Sequence, residues 1–372
     1  MALHAGVDLH GVGRHELSVY GGGDFTLRLD DRDPLAFTLP VSDRDPLSLL
    51  VEPAEFRTHA DGGETGVRLE YAYDEQAVWH HFGLGHLAPH PPEDELLDQA
   101  VAAARDAGTV VLVVGTTEEY ESEGFDRDTL TLPGRQDELV RRVCAANPRT
   151  VVVVNAGAPV LMPWADLPAA VLWAWLPVQE GGDALADVLY GQAEPGGRLP
   201  TTFPATEEGL PSVRPAADGS VTYEERHRFG HQAETRPLYP FGHGLGYTTW
   251  IYDNAVLQAP AAPGDRLVLD VTVRNTGDRA GREVVQVYLE SPQAPEPSDE
   301  PVRLVGFATV EAQPKGSATA RVTIGSDILR RWTPGLGWTA LAGSHRILVG
   351  RSSDDIRLAV EVKLPAPTLQ HP

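Results

Sequence analysis

The chain has 372 residues, more than one hydrophobic core usually holds, so its length predicts two or three domains. Its 53 acidic and 30 basic residues give a net charge of −23, which disfavours nucleic acid and anionic membranes as partners. Cys144 is the single cysteine, which excludes an intrachain disulfide and a metal site built from paired thiols.

The start of the chain has no pattern of a secretory leader. Residues 1–13 lack a basic start followed by an apolar run, and no stretch reaches the length of an apolar membrane span. We therefore expect a soluble, cytoplasmic protein.

Residues 1–90 have the pattern of a small β module. Apolar and polar residues alternate at 16–20, 25–29 and 67–73, and Gly and Asp turns separate these runs. A proline-rich, acidic stretch at 88–95 then favours a boundary between two kinds of structure. The first predicted domain therefore ends at residue 90.

Residues 91–250 alternate helix-like and strand-like segments, which predicts a doubly wound, mostly parallel α/β sheet. Gly108 suits the end of the first helix, Pro133 suits the first turn of the second, and Asn147 before Pro148 stops it. The predicted segments are a helix around 97–104, a strand at 109–114, a helix at 133–147, strands at 150–154 and 169–173, and a helix at 183–190.

Residues 251–372 form the third predicted domain, an antiparallel β-sandwich that follows a surface connection at 203–220. Short strands separated by turn residues at close intervals are typical of this architecture. The predicted strands lie at 267–274, 283–290, 304–310, 318–324 and 345–350.

An acidic loop at 118–128 directly follows the first strand of the α/β domain, where such proteins often place chemistry. Crowded carboxylates raise one another's affinity for protons, so that one of them can serve as a general acid. Glu121 and Glu123 are the candidates, because residues two apart on an extended loop point to the same side. The alternative is a solvated acidic loop in an acidic protein.

Three further residues are predicted to organise this loop. Gly124 allows a tight bend beside the two glutamates. Arg127 can hold Asp126 or Asp128 ionised and thereby fix the shape of the loop.

The segment Glu-Ser-Glu-Gly-Phe-Asp-Arg at 121–127, with Leu-Thr-Leu-Pro at 130–133, resembles the acid/base loop of glycoside hydrolase family three. That family contains many β-glucosidases and β-xylosidases. Downstream motifs resemble the family's landmarks and occur in its order, and the last two resemble its closing fibronectin type III-like domain. They are Asn-Ala-Gly-Ala-Pro-Val at 155–160, Gln-Glu-Gly-Gly at 179–182, Gly-Gly-Arg-Leu-Pro at 196–200, Tyr-Pro-Phe-Gly-His-Gly-Leu-Gly-Tyr-Thr at 239–248, Asn-Thr-Gly at 275–277 and Gly-Arg-Glu-Val-Val-Gln-Val-Tyr at 281–288.

The resemblance implies a retaining hydrolysis of β-linked glycosides, in which Glu123 matches the general acid/base and Glu121 is the second candidate. The family carries its nucleophile, an aspartate, on a preceding (β/α)8 barrel. No barrel precedes residue 90, and the first strand of the family's α/β domain is also missing. Residues 16–82 instead resemble part of a protective-antigen-like β-sandwich that some members insert.

We therefore expect the C-terminal portion of a β-glycosidase with little or no activity by itself. It either works with a separately encoded barrel chain that supplies the nucleophile or is a remnant of a longer gene. The competing hypothesis is a non-catalytic carbohydrate-binding or scaffolding protein, which would bind sugar without hydrolysing it. A nucleotide-binding α/β domain is disfavoured because its glycine fingerprint is missing.

No cofactor and no metal are predicted. The histidines at 80, 81, 86 and 90 have a spacing that fits no particular metal geometry. Trp164 either stacks on a sugar ring, which offers an apolar face to an aromatic side chain, or packs in the core.

Overall fold

The computed structural model of the protein describes residues 2–40, 54–72, 82–208, 218–220, 236–258, 266–290, 302–333 and 335–364. Its contacts divide the chain into two compact units. The first comprises Met1–Ala158 and Trp164–Trp175, and the second comprises Pro159–Pro163 and Leu176–Pro372. The domain boundaries predicted at residues 90 and 250 stay predictions.

The first unit begins with a five-stranded antiparallel sheet in the order β3-β2-β4-β1-β5. The runs predicted at 16–20 and 25–29 lie within β1 and β2. Residues 67–72 of the run predicted at 67–73 lie in β4, and residue 73 is outside the described residues. The strands are β1 (Ala2–Gly21), β2 (Gly23–Leu29), β3 (Leu35–Leu39), β4 (Glu55–Ala72) and β5 (Phe82–Leu87).

Two long strands, β1 and β4, give this module its core. Their register shifts between Leu9 and Arg14, and such an irregularity bends and twists a strand pair. Leu17 lies on one side of this shift, and Leu69 is paired on its other side. Both belong to a single cluster of buried residues. One hydrophobic cluster thus extends across the register shift.

The first unit continues with a parallel sheet in the order β6-β7-β8, so the predicted α/β architecture is confirmed. Helices α1 and α2 contact each other, and α2 contacts β7. The elements are α1 (Glu93–Asp106), β6 (Val110–Gly115), α2 (Gln136–Ala146), β7 (Thr150–Asn155) and β8 (Ala170–Trp173).

Two helix ends differ from the sequence prediction. Helix α1 ends at Asp106, before Gly108, because Ala107 already adopts an extended conformation. Helix α2 begins at Gln136 rather than at Pro133, since Gly134 lies in the left-handed region with a φ of 59° and interrupts the helical backbone. The predicted stop at Asn147 is confirmed.

Strand β6 keeps one face exposed at the edge of the described sheet. Val111 is 47% and Val113 53% exposed, whereas Val114 on the opposite face is buried. Strands of parallel sheets are normally covered on both faces. Within the described residues, this apolar face therefore has little covering it.

The second unit contains α3 (Gly181–Leu189) and the predicted antiparallel sandwich. Its two sheets have the orders β13-β10-β9 and β12-β11-β16-β17 and enclose a common core, and β14 and β15 form a separate ribbon. The strands are β9 (Trp250–Gln258), β10 (Leu267–Asn275), β11 (Gly281–Glu290), β12 (Val302–Ala312), β13 (Ser317–Ile324), β14 (Arg330–Thr333), β15 (Gly337–Ala340), β16 (Gly343–Gly350) and β17 (Ile356–Leu364). In the described part of the chain, no helix combines the length and the apolar character needed to cross a bilayer.

Candidate active site

The acidic loop leaves the carboxyl end of β6, beside the carboxyl end of β7. Gly115 at the end of β6 lies opposite Asn155 at the end of β7. A side chain at Gly115 would meet the Asn155 carbonyl oxygen at 2.1 Å, so this close approach requires glycine. The loops that follow the two strands therefore start next to each other at one edge of the sheet.

Glu121 ties these two loops together. One oxygen of its carboxylate accepts hydrogen bonds from the hydroxyl of Thr116, at 2.5 Å, and from the backbone N–H of Gly157, at 3.0 Å. Both donors suit an ionised carboxylate, which only accepts hydrogen bonds. Glu121 therefore has a structural task in the loop, and sequence reasoning, which offered it as a second acid/base candidate, missed that task.

Glu123 stands at the tip of a tight turn. Ser122 and Phe125 form an isolated antiparallel bridge, which leaves Glu123 and Gly124 as the two residues between them. The N–H of Gly124 donates to the hydroxyl of Ser122 at 3.2 Å. Glu123 is exposed, and its carboxylate has no hydrogen bond or ion pair with another described residue.

The other two loop residues flank this turn. Asp126 is exposed and Arg127 is half-buried. The predicted pairing of Arg127 with Asp126 or Asp128 stays a prediction.

Trp164 does not present a face for sugar stacking. Only 1% of it is exposed, and its indole N–H donates to Asp137 in the first turn of α2 at 2.6 Å. A buried ring with its N–H satisfied is a core residue. Of the two alternatives drawn from the sequence, burial favours packing, and sugar binding by Trp164 is no longer supported.

Trp175 has an unusual backbone at the same edge of the sheet. It follows β8 and has a φ of 58°, a left-handed conformation that is rare for a bulky residue. Its ring meets that of Trp173 edge to face, with centroids 5.6 Å apart. Such outliers cluster at functional sites, and no sequence signal predicts this one.

No metal centre is found in the described parts of the chain, where no three His, Cys, Asp or Glu side chains come together. The four histidines considered from the sequence do not form a described cluster. His86 lies against His15, with Nε2 of His86 2.9 Å from Nδ1 of His15, and His90 bonds to the carbonyl of Pro91. Residues 80 and 81 lie outside the described residues.

Known proteins resemble this chain over most of its length. Residues 26–247 match the family model of the glycosyl hydrolase family 3 C-terminal domain, and residues 283–353 match the fibronectin type III-like domain. A β-glucosidase of Rhizobium radiobacter is 40% identical over 294 residues, which are 76% of this chain and 36% of that protein.

Solved structures agree with these matches. A β-glucosidase from Kluyveromyces marxianus superposes with a TM-score of 0.84 at 30% identity, over 98% of this chain and 44% of that one. DesR, a β-glucosidase from Streptomyces venezuelae, gives a TM-score of 0.71 at 30% identity, over 97% and 46% of the two chains. The chain thus spans less than half the length of these relatives.

Proposed function

The chain belongs to glycoside hydrolase family 3, and we propose that it is the C-terminal portion of a retaining β-glucosidase in which Glu123 is the general acid/base. Its substrates are then β-glucosides, because the similar proteins are β-glucosidases. The exposed turn that carries Glu123 at the edge of the parallel sheet is the observation that supports this role most directly.

The contrast between the two glutamates supports the choice of Glu123. A general acid/base must reach the glycosidic oxygen and exchange protons with substrate and water. Glu123 is exposed and has no bonding partner among the described residues, while Glu121 is held by Thr116 and Gly157. The carboxylate of Glu121 thus stiffens the loop, and that of Glu123 is available to a substrate.

The proposed reaction has two steps. A carboxylate nucleophile attacks the anomeric carbon, and protonated Glu123 gives its proton to the departing glycosidic oxygen. Ionised Glu123 then takes a proton from water, whose oxygen attacks the same carbon and releases the sugar with retained configuration. The two carboxyl groups must lie ~5 Å apart for this sequence of steps.

We propose that the nucleophile belongs to a separate chain that carries a barrel. The chain spans 36% of its Rhizobium radiobacter relative, and no described residue of this chain is assigned as the nucleophile. The exposed face of β6 supports a partner, since an element packed against this face would cover Val111 and Val113.

The isolated chain tests this dependence. We expect the 372-residue protein to release no nitrophenol from nitrophenyl β-glucoside beyond the buffer blank, because the proposed nucleophile lies on the barrel. Glu123→Gln and, as a matched exposed acid of the same loop, Glu119→Gln should release no nitrophenol either. Robust turnover by the isolated chain that Glu123→Gln abolishes would overturn the need for a second chain.

A further inference from the structure

The sandwich carries a small ribbon whose outer side bears two tryptophans. Strands β14 and β15 pair only with each other among the described strands, and Trp332 lies directly opposite Trp338. The two rings meet edge to face, with centroids 5.9 Å apart and planes at 77°. Cross-strand aromatic pairs of this kind stabilise a hairpin. The contact between these two rings nevertheless leaves most of the surface of each ring exposed to solvent.

The base of the ribbon is fixed, so the indoles stand on a firm support. Leu329 is buried in the sandwich core, and its carbonyl accepts a hydrogen bond from the N–H of Leu341 at 2.9 Å. Arg303 on β12 donates to the carbonyls of Ile328 and Arg330. The ribbon is therefore tied to the sandwich on the side away from its tip.

The exposure of the two rings is high for residues of this type. Trp332 is 61% and Trp338 62% exposed, and Leu336 in the turn between them is 76% exposed. Neither indole N–H has a hydrogen-bond partner in the described residues. Two ring faces and two donors are thus available to a ligand.

The charge of the molecule limits what this ligand is. The chain has a net charge of −23, which disfavours anionic membranes and acidic polymers as ligands. Residues 328–341 contain no acidic side chain and two basic ones, Arg330 and Arg331, whose guanidinium groups can donate hydrogen bonds to hydroxyl groups. A neutral ligand with an apolar face and hydroxyl groups fits both conditions.

We propose that Trp332 and Trp338 form an accessory binding site for neutral β-linked glucose chains. One indole stacks on the apolar face of a glucosyl ring, and the other, nearly perpendicular, borders the edge of the same ring. The indole N–H groups donate to ring hydroxyls. The choice of a glucose chain rests on the proposed function, whereas the site itself involves none of the residues assigned to catalysis.

Native gel electrophoresis with and without a soluble mixed-linkage β-glucan in the gel tests the site. The full chain should be retarded by the glucan, and titration calorimetry with cellohexaose should give a measurable affinity. The double variant Trp332→Ala/Trp338→Ala should lose at least about tenfold in affinity, a loss typical of removing a stacking contact. Phe307→Ala is the matched control, because Phe307 is 64% exposed on β12 of the same sandwich.

Unchanged retardation of the double variant, or no retardation of the native chain, would overturn the site. The double variant Trp332→Phe/Trp338→Phe keeps an aromatic ring at each position and should bind the glucan more tightly than the alanine variant. This comparison separates the loss of stacking from unfolding of the ribbon. Binding to neutral phosphatidylcholine vesicles or self-association that only the alanine variant loses would assign the pair to those partners and contradict the proposal. Glu123→Gln should bind glucan normally, so failure of the catalytic proposal leaves this result unaffected.

Discussion

The two glutamates of the acidic loop have different surroundings, and this difference predicts different effects of removing them. Glu121→Ala leaves the hydroxyl of Thr116 and the N–H of Gly157 without their shared acceptor. We expect it to lower the free energy of unfolding by about 1.5–3 kcal/mol, the usual contribution of hydrogen bonds to charged groups.

Urea unfolding followed by tryptophan fluorescence measures this effect. Glu123→Ala is the matched control, because it removes the same side chain two residues away from an exposed position. It should change the free energy of unfolding by no more than about 0.5 kcal/mol. Equal losses for the two variants would show that Glu121 does not hold the loop.

The candidate site was only partly predictable at the scale of residues. The acidic loop and the Glu-Gly turn could be located from local sequence, since both depend on neighbours along the chain. The task of Glu121 depends on Gly157, which is 36 positions away and meets it only after β6 and β7 have paired. The burial of Trp164 likewise follows from its contact with Asp137 in another element.

The segment 239–248 of the second unit contains a histidine whose protonation opposes folding. Burial lowers the pKa of His243, and the neighbouring charges of Arg198 and Arg351 lower it further. The ring also stacks on Tyr239, with centroids 4.9 Å apart. His243 is therefore held neutral in the folded chain at pH values where the unfolded chain takes up a proton.

The sign of the resulting pH dependence follows. The unfolded histidine titrates near pH ~6.5. The folded state resists protonation below that pH, so stability is full above it and falls as the pH drops toward the lower pKa of the folded state. His243→Phe keeps an aromatic ring and should show a smaller fall in melting temperature between pH 7.5 and 5.5 than the native chain. An equal fall in melting temperature for the variant and the native chain would contradict a contribution of His243 to this pH dependence.

A buried ionic cluster joins separate segments of the second unit. Glu283 on β11 is fully buried, and its two oxygens lie 3.3 Å from Nη2 of Arg198 and 3.3 Å from Nε of Arg351. Glu283→Gln leaves two guanidinium groups without their anion in a region that excludes water. We expect a loss of about 3–5 kcal/mol in the free energy of unfolding.

An exposed ion pair of the same sandwich is the control for this change. Asp253 accepts from Arg274 at 2.9 Å, and both side chains are substantially exposed. Asp253→Asn should lower the free energy of unfolding far less than Glu283→Gln does in the same urea experiment, because solvent screens the exposed pair. If both variants lose a similar amount of unfolding free energy, burial of Glu283 does not make its ion pairs more important for stability than an exposed pair.

At the scale of elements, the sequence predicts most strands that alternate or are continuously apolar. It misses β9, because Asp253 and Asn254 interrupt the apolar pattern with residues that favour turns. It also misses β3, β5 and β17, and it misses the ribbon, whose four-residue strands are too short for a periodic signal. Gly134 moves the start of α2, since its left-handed conformation depends on context rather than on residue type alone.

At the scale of the whole molecule, the order of motifs carries more information than any one of them. The family matches at 26–247 and 283–353 confirm the predicted resemblance and the fibronectin type III-like domain. The relation of the loop to a nucleophile could not be predicted in geometric terms, because that group is expected on another chain.

The most direct measurement combines this chain with the N-terminal portion of its bacterial relative and follows Glu123 by azide rescue. The assembled pair should hydrolyse nitrophenyl β-glucoside, and Glu123→Ala should abolish this activity. That variant should still cleave a dinitrophenyl glucoside, whose leaving group needs no acid, and added azide should yield β-glucosyl azide because azide needs no general base. Glu119→Ala, which removes an exposed acid of the same loop, should behave like the native pair. Full activity of the Glu123→Ala pair without azide would contradict the assignment of Glu123 as the acid/base.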